Sequence, residues 1–213
     1  ALSVSGRQLY GAVHDVTELT GTSSYTGKTQ INNDAILRVA NPGPGDNVNI
    51  GTGHLEFNST FSSSYGDQPA ILETSGVIDR TIGNDPLALV KQIYWANSGG
   101  FAAYGGDLTV TLTRKDGLIQ PLTWGNGNNG FRGKMLHMGS PNATHAVTMT
   151  NDIELDNTRR IWTYDNPALT TDVTIFSGNI SQVGSNRNLI KTGTGILWLS
   201  SSNNSYKGIT EIT

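Results

Sequence analysis

Short segments of alternating polar and apolar residues recur along this chain and are separated by turns rich in glycine and asparagine. Residues 107–113 read D-L-T-V-T-L-T, which places Leu108, Val110 and Leu112 on one side of a strand. The same alternation occurs in residues 146–150, 152–156, 172–176 and 195–200, and shorter strand-like runs lie at 35–39, 48–50, 54–57, 70–72 and 91–95. A side-chain period of two builds strands, so the chain is predicted to be all-β.

The composition agrees with many short strands joined by tight turns. Glycine supplies 26 residues, while charged residues make up only 15% of the chain, against about 25% in typical globular domains. A net charge of -3 gives no electrostatic reason to bind nucleic acid, because phosphate contact needs clustered Lys and Arg. There is no cysteine, which excludes disulfides, thiolate metal sites and cysteine nucleophiles.

Residues 86–92 and the N-terminal segment differ from the strand-like pattern of the rest of the chain. Residues 86–92 have some helical character. The N-terminal segment lacks the basic start and apolar core of a signal peptide. No run of 18 apolar residues exists, so the 213-residue chain is predicted not to insert into a membrane. We expect a secreted chain that is either processed or a fragment or repeat unit of a larger surface protein.

One internal repeat is present. Residues 24–31 and 205–212 share the pattern S-Y-x-G-x-T-x-I, and each copy follows a strand-like run that ends in leucine, at Leu19 and Leu199. The conserved positions of the two copies are Tyr25, Gly27, Thr29 and Ile31, and Tyr206, Gly208, Thr210 and Ile212. We interpret each copy as a turn followed by a strand whose Thr and Ile face opposite sides, with the glycine permitting a bend that a side chain would block.

The second copy belongs to a longer motif. Residues 189–210 closely match the pattern L-x-K-T-G-x-G-x-L-x-L-S-x-x-N-x-Y-x-G-x-T, with one additional residue between Ser200 and Tyr206, and the match includes Lys191, Gly193, Gly195, Leu197 and Leu199. This stretch resembles the autotransporter-associated β-strand repeat of large secreted bacterial surface proteins. The segments 98–107, 122–125, 151–155 and 176–181 resemble the regions between such repeats, so the resemblance covers most of residues 20–213.

The resemblance implies a right-handed parallel β-helix (β-solenoid) that is exported to the bacterial cell surface, and it implies no particular reaction. With coils of roughly 20 to 30 residues the chain would make about 7 to 10 coils. We therefore expect one β-helical domain over residues 1–213, with residues 1–20 as an irregular or capping segment.

Few side-chain constellations suggest chemistry. The histidines are scattered, although His14 beside Asp15 and Glu18 could be a base with its orienting acid or a solvated loop. In the strand at 152–156, Asp152, Glu154 and Asp156 share one face. Their repulsion could be relieved by arginines that follow at 159 and 160, by a bound Ca²⁺, or by solvent. These three carboxylates are the candidate cation site.

Parallel β-helices also host polysaccharide lyases and hydrolases, in which paired carboxylates act as acid and base. The carboxylates considered for such a role are Glu56, Glu73, Asp79, Asp152 and Glu154, and nothing in the sequence pairs them. The aromatic residues Tyr94, Trp95, Tyr104, Trp124, Trp162, Tyr164 and Trp198 could form either a sugar-stacking stripe or an inward-facing core stack.

The sequence favours a non-catalytic structural or adhesive module over its two alternatives, a polysaccharide-active enzyme and a glycan-binding module. We expect no cofactor and no catalytic residue. The expected partner is either a second copy of the chain or a host or cell-surface polymer. A repeating β-structure that is open at its ends exposes unpaired backbone groups, so head-to-tail stacking into a filament is predicted.

Overall fold

The computed structural model describes residues 1–6, 15–40, 49–50, 52–60, 68–83, 91–119, 121–125 and 130–213. Within these residues the protein contains strands and turns and no helix, which confirms the all-β prediction. Residues 86–90 of the stretch with helical character lie outside the described residues, and Gln92 begins a strand. His14 and Val48 also lie outside them, and Asn49 and Ile50 form a bend where a strand was expected.

The described residues form eighteen strands, most of them short. In chain order these are β1 (Leu2–Val4), β2 (Asp15–Leu19), β3 (Thr29–Asn32), β4 (Ala35–Val39), β5 (Leu55–Asn58), β6 (Ala70–Ile82), β7 (Gln92–Trp95), β8 (Gly99–Arg114), β9 (Leu122–Trp124), β10 (Leu136–Met138), β11 (Val147–Met149), β12 (Ile153–Leu155), β13 (Arg159–Thr163), β14 (Thr174–Phe176), β15 (Ile180–Gln182), β16 (Leu189–Thr192), β17 (Leu197–Leu199) and β18 (Thr210–Ile212). The segment at 1–20, expected to be irregular, contains β1 and β2.

All pairings between these strands are parallel, and they build one sheet of fifteen strands and one of three. Strands β1, β3, β5 and β7 pair in succession, and so do β9, β12 and β15. A further stack runs from β2 through β4, β6, β8, β10, β13 and β16 to β18. The second halves of β6 and β8 pair with each other, and β11, β14 and β17 add to β8 in succession to form another stack.

Neighbouring strands in a stack come from well-separated parts of the chain. Hydrogen bonds between adjacent strands or turns join residues 21 positions apart at Asn188 and Ile209, and 39 positions apart at Leu112 and Asn151. Parallel strands need such long connections because the chain must return to the same end before it can pair again.

The core lies between the stacks and follows the predicted alternation. In β8 the side chains of Leu108, Val110 and Leu112 have no exposed surface, whereas the threonines between them are half-buried. Apolar side chains from every stack join one cluster, which includes Ile31, Leu37, Ile78, Val110, Leu155 and Phe176. Burying one face of each strand therefore supplies the main apolar stabilisation.

Five aromatic rings form a continuous ladder inside this core. Trp95 lies at its centre, with ring centroids 4.9 Å from Phe57, 5.9 Å from Phe101 and 5.1 Å from Phe131. Trp124 extends the ladder at 5.6 Å from Phe131. Edge-to-face and tilted contacts at these distances are favourable. The two buried tryptophans are thus core residues, in agreement with the inward-stacking alternative.

Polar ladders run along the outside of the stack that contains β3, β5 and β7. Asn58 donates its side-chain amide to Oδ1 of Asn32 at 3.1 Å, and Asn97 donates to Oδ1 of Asn58 at 2.8 Å. At the first strand, Asn32 donates to the hydroxyl of Ser3 at 3.0 Å. Asn32 and Asn58 lie in register, as stacked amides do in other parallel sheets, whereas Asn97 reaches Asn58 from the turn after β7.

One expectation about the repeat is wrong. Thr29 and Ile31 were predicted to face opposite sides, but both are buried, because residues two apart on a strand share a face. In the second copy, Thr210 and Ile212 are both exposed, and among the described strands β18 pairs only with β16.

Candidate functional site

The first repeat copy is a turn that is closed by a side-chain hydrogen bond. The hydroxyl of Tyr25 lies 2.6 Å from that of Thr29. Thr29 donates its own hydroxyl proton to the carbonyl oxygen of Ile50 at 2.9 Å, so Tyr25 is the donor of the first bond. Burial raises the pKa of Tyr25 above 10.0, against the opposing effects of the Thr29 hydrogen bond and the charge of Arg80.

The second copy has the same geometry. Tyr206 and Thr210 are joined by a hydroxyl contact of 2.5 Å, and Leu189 lies opposite Thr210 as Leu2 lies opposite Thr29. The two copies of the motif therefore occupy equivalent positions relative to the strands they pair with, β1 for the first copy and β16 for the second. These motif residues are tied into strand stacking, which is a structural role.

The motif glycines are required for different reasons. A Cβ on Gly208 would lie 2.0 Å from the backbone oxygen of Arg187, so close approach of two chain segments excludes a side chain there. The φ of Gly208 lies outside the left-handed region, so close approach alone is the reason for glycine here. Gly193 does have a positive φ of 84°, and a Cβ on Gly195 would lie 2.2 Å from the oxygen of Tyr164.

The remaining motif residues lie at the margin of the core. Leu197 and Leu199 are half-buried and pack against it, whereas Ile212 is 78% exposed. Lys191 donates to the carbonyl of Gly193. Burial lowers the pKa of Lys191, an effect that the charge of Asp165 partly offsets.

The acidic strand β12 has the predicted alternation. Ile153 and Leu155 are buried, while Asp152, Glu154 and Asp156 are half-buried on or beside the strand. Asp152 accepts a hydrogen bond from the backbone N–H of Asn179 at 2.7 Å. Two of the three carboxylates are therefore engaged by the protein, since Asp156 also accepts from the guanidinium of Arg159, at 3.1 Å from Nε.

The relief of charge repulsion is supplied by arginine and by backbone donors. Arg159 also donates to the carbonyl oxygens of Trp124 at 2.8 Å and Gly133 at 3.0 Å, which holds it in place beside Asp156. Among the described residues, no group of three or more His, Asp or Glu side chains is arranged to hold a metal ion. The cation hypothesis for this strand gains no support from the geometry.

A different polar cluster lies on the outer face of the stack that contains β2, β4 and β6. Glu18, Arg38 and Glu73 occupy directly opposed positions on these strands. Nε of Arg38 donates to Oε2 of Glu73 at 2.8 Å, and its Nη1 lies 3.7 Å from Oε2 of Glu18. Alternating charges on adjacent strands attract, so the register itself places the guanidinium between two carboxylates.

Glu73 is held by a buried network. Its side chain has no exposed surface, and its second oxygen accepts a hydrogen bond from the hydroxyl of Ser140. The segment around Ala143, together with Tyr164, packs on Ile36 and Ile71 and forms a second, outer apolar cluster beside it. A buried carboxylate needs such partners because an unpaired charge in an apolar environment is costly.

The ring of Tyr104 completes the cluster. The guanidinium carbon of Arg38 lies 3.5 Å from the ring centroid, which is a close cation–π contact. Tyr104 follows Ala103 in β8, where the register with β6 shifts: Thr74 lies opposite Ala103, but Gly76 lies opposite Leu108. The extra residues of this bulge project Tyr104 outward, and Gly105 in the bulge has a φ of 77°.

Glu18, Arg38 and Tyr104 line a cleft, and Glu73 is buried behind Arg38, so the two carboxylates do not form an acid–base pair. Hydrolysis of a glycosidic bond by paired carboxylates requires that both of them reach the substrate. Glu18 is 52% exposed, whereas Glu73 has no exposed surface and is bound by Arg38 and Ser140. Glu73 is therefore not placed to contact a molecule in the cleft.

Sequence reasoning named parts of this cluster without joining them. Glu73 is one of five carboxylates that could act as acid or base, and Tyr104 is one of seven aromatic residues that could form a sugar-stacking stripe or a core stack. The sequence links Glu18 only with His14 and Asp15. The signal that could have identified the site is the break in alternation at Tyr104-Gly105-Gly106, which indicates a bulge inside a long strand.

Comparison of the chain with protein-family models, with curated proteins and with solved structures finds no match. The similarity to the autotransporter-associated repeat therefore rests on the motif residues alone. Within the part of the chain that the structure describes, no helix has the length and apolar character needed to cross a membrane.

Proposed function

We propose that the chain is a right-handed parallel β-helix whose role is structural and adhesive, without catalysis, at the surface of a bacterial cell. The observation that carries this proposal is the parallel pairing that continues from β1 to β18, with apolar side chains of every stack in one core. If each coil contains three strands and stacks on the coil before it, equivalent strands pair in parallel. The same stacking accounts for the aromatic ladder and the asparagine ladder.

The polar side chains support a structural role. Hydrogen bonds to neighbouring strands and turns are made by the asparagines of the ladder, by the Tyr–Thr pairs and by Asp156 with Arg159. An extended surface of this kind is suited to projection and attachment. Export is proposed from the motif resemblance.

The competing enzymatic role can be tested directly. The 213-residue protein is incubated with soluble neutral and acidic polysaccharides, and new reducing ends and the absorbance of unsaturated uronides are followed over days. We expect neither signal to rise above that of a heat-denatured sample. Release of oligosaccharides that is abolished by Glu18→Gln would contradict the non-catalytic proposal.

Self-association is the second part of the proposal, and its occupant is a second copy stacked head to tail. In the structure, Thr210–Ile212 pairs with β16 on one edge, and no described strand lies on the other. Nearby, Trp198, Ile209 and Ile212 are 58%, 62% and 78% exposed. An exposed strand edge flanked by apolar side chains favours the addition of another strand.

Sedimentation velocity over a hundredfold concentration range tests this association. We expect larger species at high concentration, and we expect Ile212→Lys to remove them because a charge on an edge strand opposes pairing. Thr170→Lys adds the same charge in an exposed turn and should leave association unchanged. A monomer throughout, or equal effects of the two variants, would contradict head-to-tail stacking.

A further inference from the structure

A cleft opens beside the bulge that carries Tyr104, with a volume of about 330 Å³. Its walls include Glu18, Leu19, Arg38, Val39, Ser75 and Tyr104. This volume lies at the lower end of the range for small-molecule sites. The walls combine an aromatic ring and aliphatic groups with a carboxylate, a guanidinium and hydroxyl groups.

The cleft is preorganised. Arg38 is fixed by Glu73 at 2.8 Å and by the ring of Tyr104 at 3.5 Å, and its side chain is only 15% exposed. Tyr104 itself keeps 36% of its surface accessible while it contacts Arg38. Because both groups are held before any ligand arrives, little conformational entropy would be lost on binding.

The chemistry of these walls indicates the class of ligand. We propose that the cleft binds a neutral saccharide ring, with the C–H face of the sugar on the face of Tyr104 that the guanidinium of Arg38 leaves uncovered, and its hydroxyl groups against Glu18 and the outer N–H groups of Arg38. A sugar hydroxyl both donates and accepts hydrogen bonds, so it can accept from the guanidinium and donate to the carboxylate. An apolar face and a rim of hydroxyl groups match an aromatic ring that is flanked by charged hydrogen-bonding groups.

The charge balance excludes acidic sugars. Two carboxylates, Glu18 and Glu73, face a single guanidinium, and Arg38 is already neutralised at hydrogen-bonding distance by Glu73. A uronate or a sulfate group would approach Glu18 without a free positive charge to compensate it. A like charge that is desolvated in this way is disfavoured.

This inference rests on the adhesive role proposed above, because it gives that role a ligand. It adds a specific place: the register shift between β6 and β8 is the feature that directs Tyr104 into the cleft. Bulges commonly re-aim a side chain beside a functional site. A bound sugar should be recovered intact, since Glu73 has no exposed surface from which to act as an acid.

The experiment measures binding of cellotetraose, chitotetraose and mannotetraose as neutral probes and of tetragalacturonate as the acidic probe, by calorimetric titration of the full 213-residue protein. We expect at least one neutral probe to bind and the acidic probe not to bind. Tyr104→Ala should weaken the neutral probe by about tenfold or more through loss of the stacking surface, and Tyr104→Phe should retain it within about twofold.

Tyr94 provides the matched control. It also lies beside an arginine, with its hydroxyl 2.7 Å from Nη1 of Arg132, but it lies outside this cleft. Tyr94→Ala should leave binding unchanged. Each variant is first checked by circular dichroism. If Tyr104→Ala fails to fold, Glu18→Ala takes its place at a 52% exposed residue of the cleft wall and should weaken the neutral probe, whereas unchanged binding would overturn the inference.

Three other results would overturn the inference. They are binding of no neutral probe, binding of the acidic probe alone, and equal weakening by Tyr94→Ala and Tyr104→Ala. Each would leave the structural role intact. Cleavage of a bound neutral probe, detected by mass spectrometry of the recovered sugar, would instead contradict the non-catalytic function while the site itself remained.

Discussion

The hydroxyl of Tyr25 donates a hydrogen bond to the hydroxyl of Thr29 at 2.6 Å, and Tyr206 and Thr210 repeat this contact at 2.5 Å in the second copy of the motif. The aromatic residue spans the turn and holds the start of the following strand. The recurrence of Tyr and Thr at this spacing in both copies therefore has a direct structural cause, which is closure of the turn.

Tyr25→Phe should lower the free energy of unfolding by about 1 kcal/mol at neutral pH, because one partly buried hydrogen bond is lost. Urea unfolding followed by tryptophan fluorescence measures the change. Tyr206→Phe removes the equivalent bond beside an exposed Thr210 and should cost less. A larger loss for Tyr206→Phe would contradict this interpretation of the motif.

The same variant should change the alkaline stability. Burial raises the pKa of Tyr25 above 10.0, so the folded protein retains the phenol proton more strongly than the unfolded chain does. This contribution is fully present below the ordinary pKa and is lost as the pH rises through the folded value. Between about pH 8 and about pH 11 the native protein should therefore lose more stability than Tyr25→Phe does. Parallel curves would show that Tyr25 does not contribute.

Gly208→Val should destabilise the protein by about 2 kcal/mol, because its Cβ would meet the backbone oxygen of Arg187. The expected fall in melting temperature is about 4–8 °C for a chain of this length. Gly21→Val is the matched control, since a Cβ there meets no atom within 4 Å. Lys207→Ala, on the exposed neighbour of Gly208, should also change little. Equal melting temperatures for the two valine variants would contradict close packing at Gly208.

The strands were predictable because alternation is a local property. β4 has the predicted bounds, Ala35–Val39, and β2 and β17 end at the predicted Leu19 and Leu199. Partner choice is not local. Nothing in residues 29–32 states that they pair with 2–4 and 55–58, since this depends on the length of each connection.

The cleft was beyond sequence reasoning for the same reason. Glu18, Arg38 and Glu73 lie on three strands and meet only through their register, and Tyr104 reaches them only because of the bulge. A single slipped residue would turn all of these side chains to the opposite face. The acidic strand, in contrast, is indicated by its alternation. The sequence also indicates Arg159 as a partner of its carboxylates, but not the backbone N–H of Asn179 that binds Asp152.

Asn58 lies at the centre of the asparagine ladder and should be the most sensitive of its members. Asn58→Ala removes the bonds to Asn32 and Asn97 and should cost about 2 kcal/mol, whereas Asn58→Asp keeps an acceptor for Asn97 and should cost less. Asn203→Ala changes an exposed side chain and should be close to neutral. Thermal unfolding ranks the three variants, and an Asn58→Ala protein as stable as Asn203→Ala would show that the ladder contributes nothing.

The ion pair of Arg38 and Glu73 should behave as a unit. Arg38→Met leaves the fully buried Glu73 without its cation and should cost about 3–5 kcal/mol. Glu73→Leu leaves Arg38, which is 15% exposed and still contacts Tyr104 and Glu18, and should cost less. The double variant should recover much of the stability lost in Arg38→Met, because replacing both charges by apolar groups removes the penalty of an unpaired buried charge. Urea unfolding of the four proteins gives the coupling energy, and losses that simply add would mean that Glu73 is stabilised by Ser140 and the surrounding backbone rather than by Arg38.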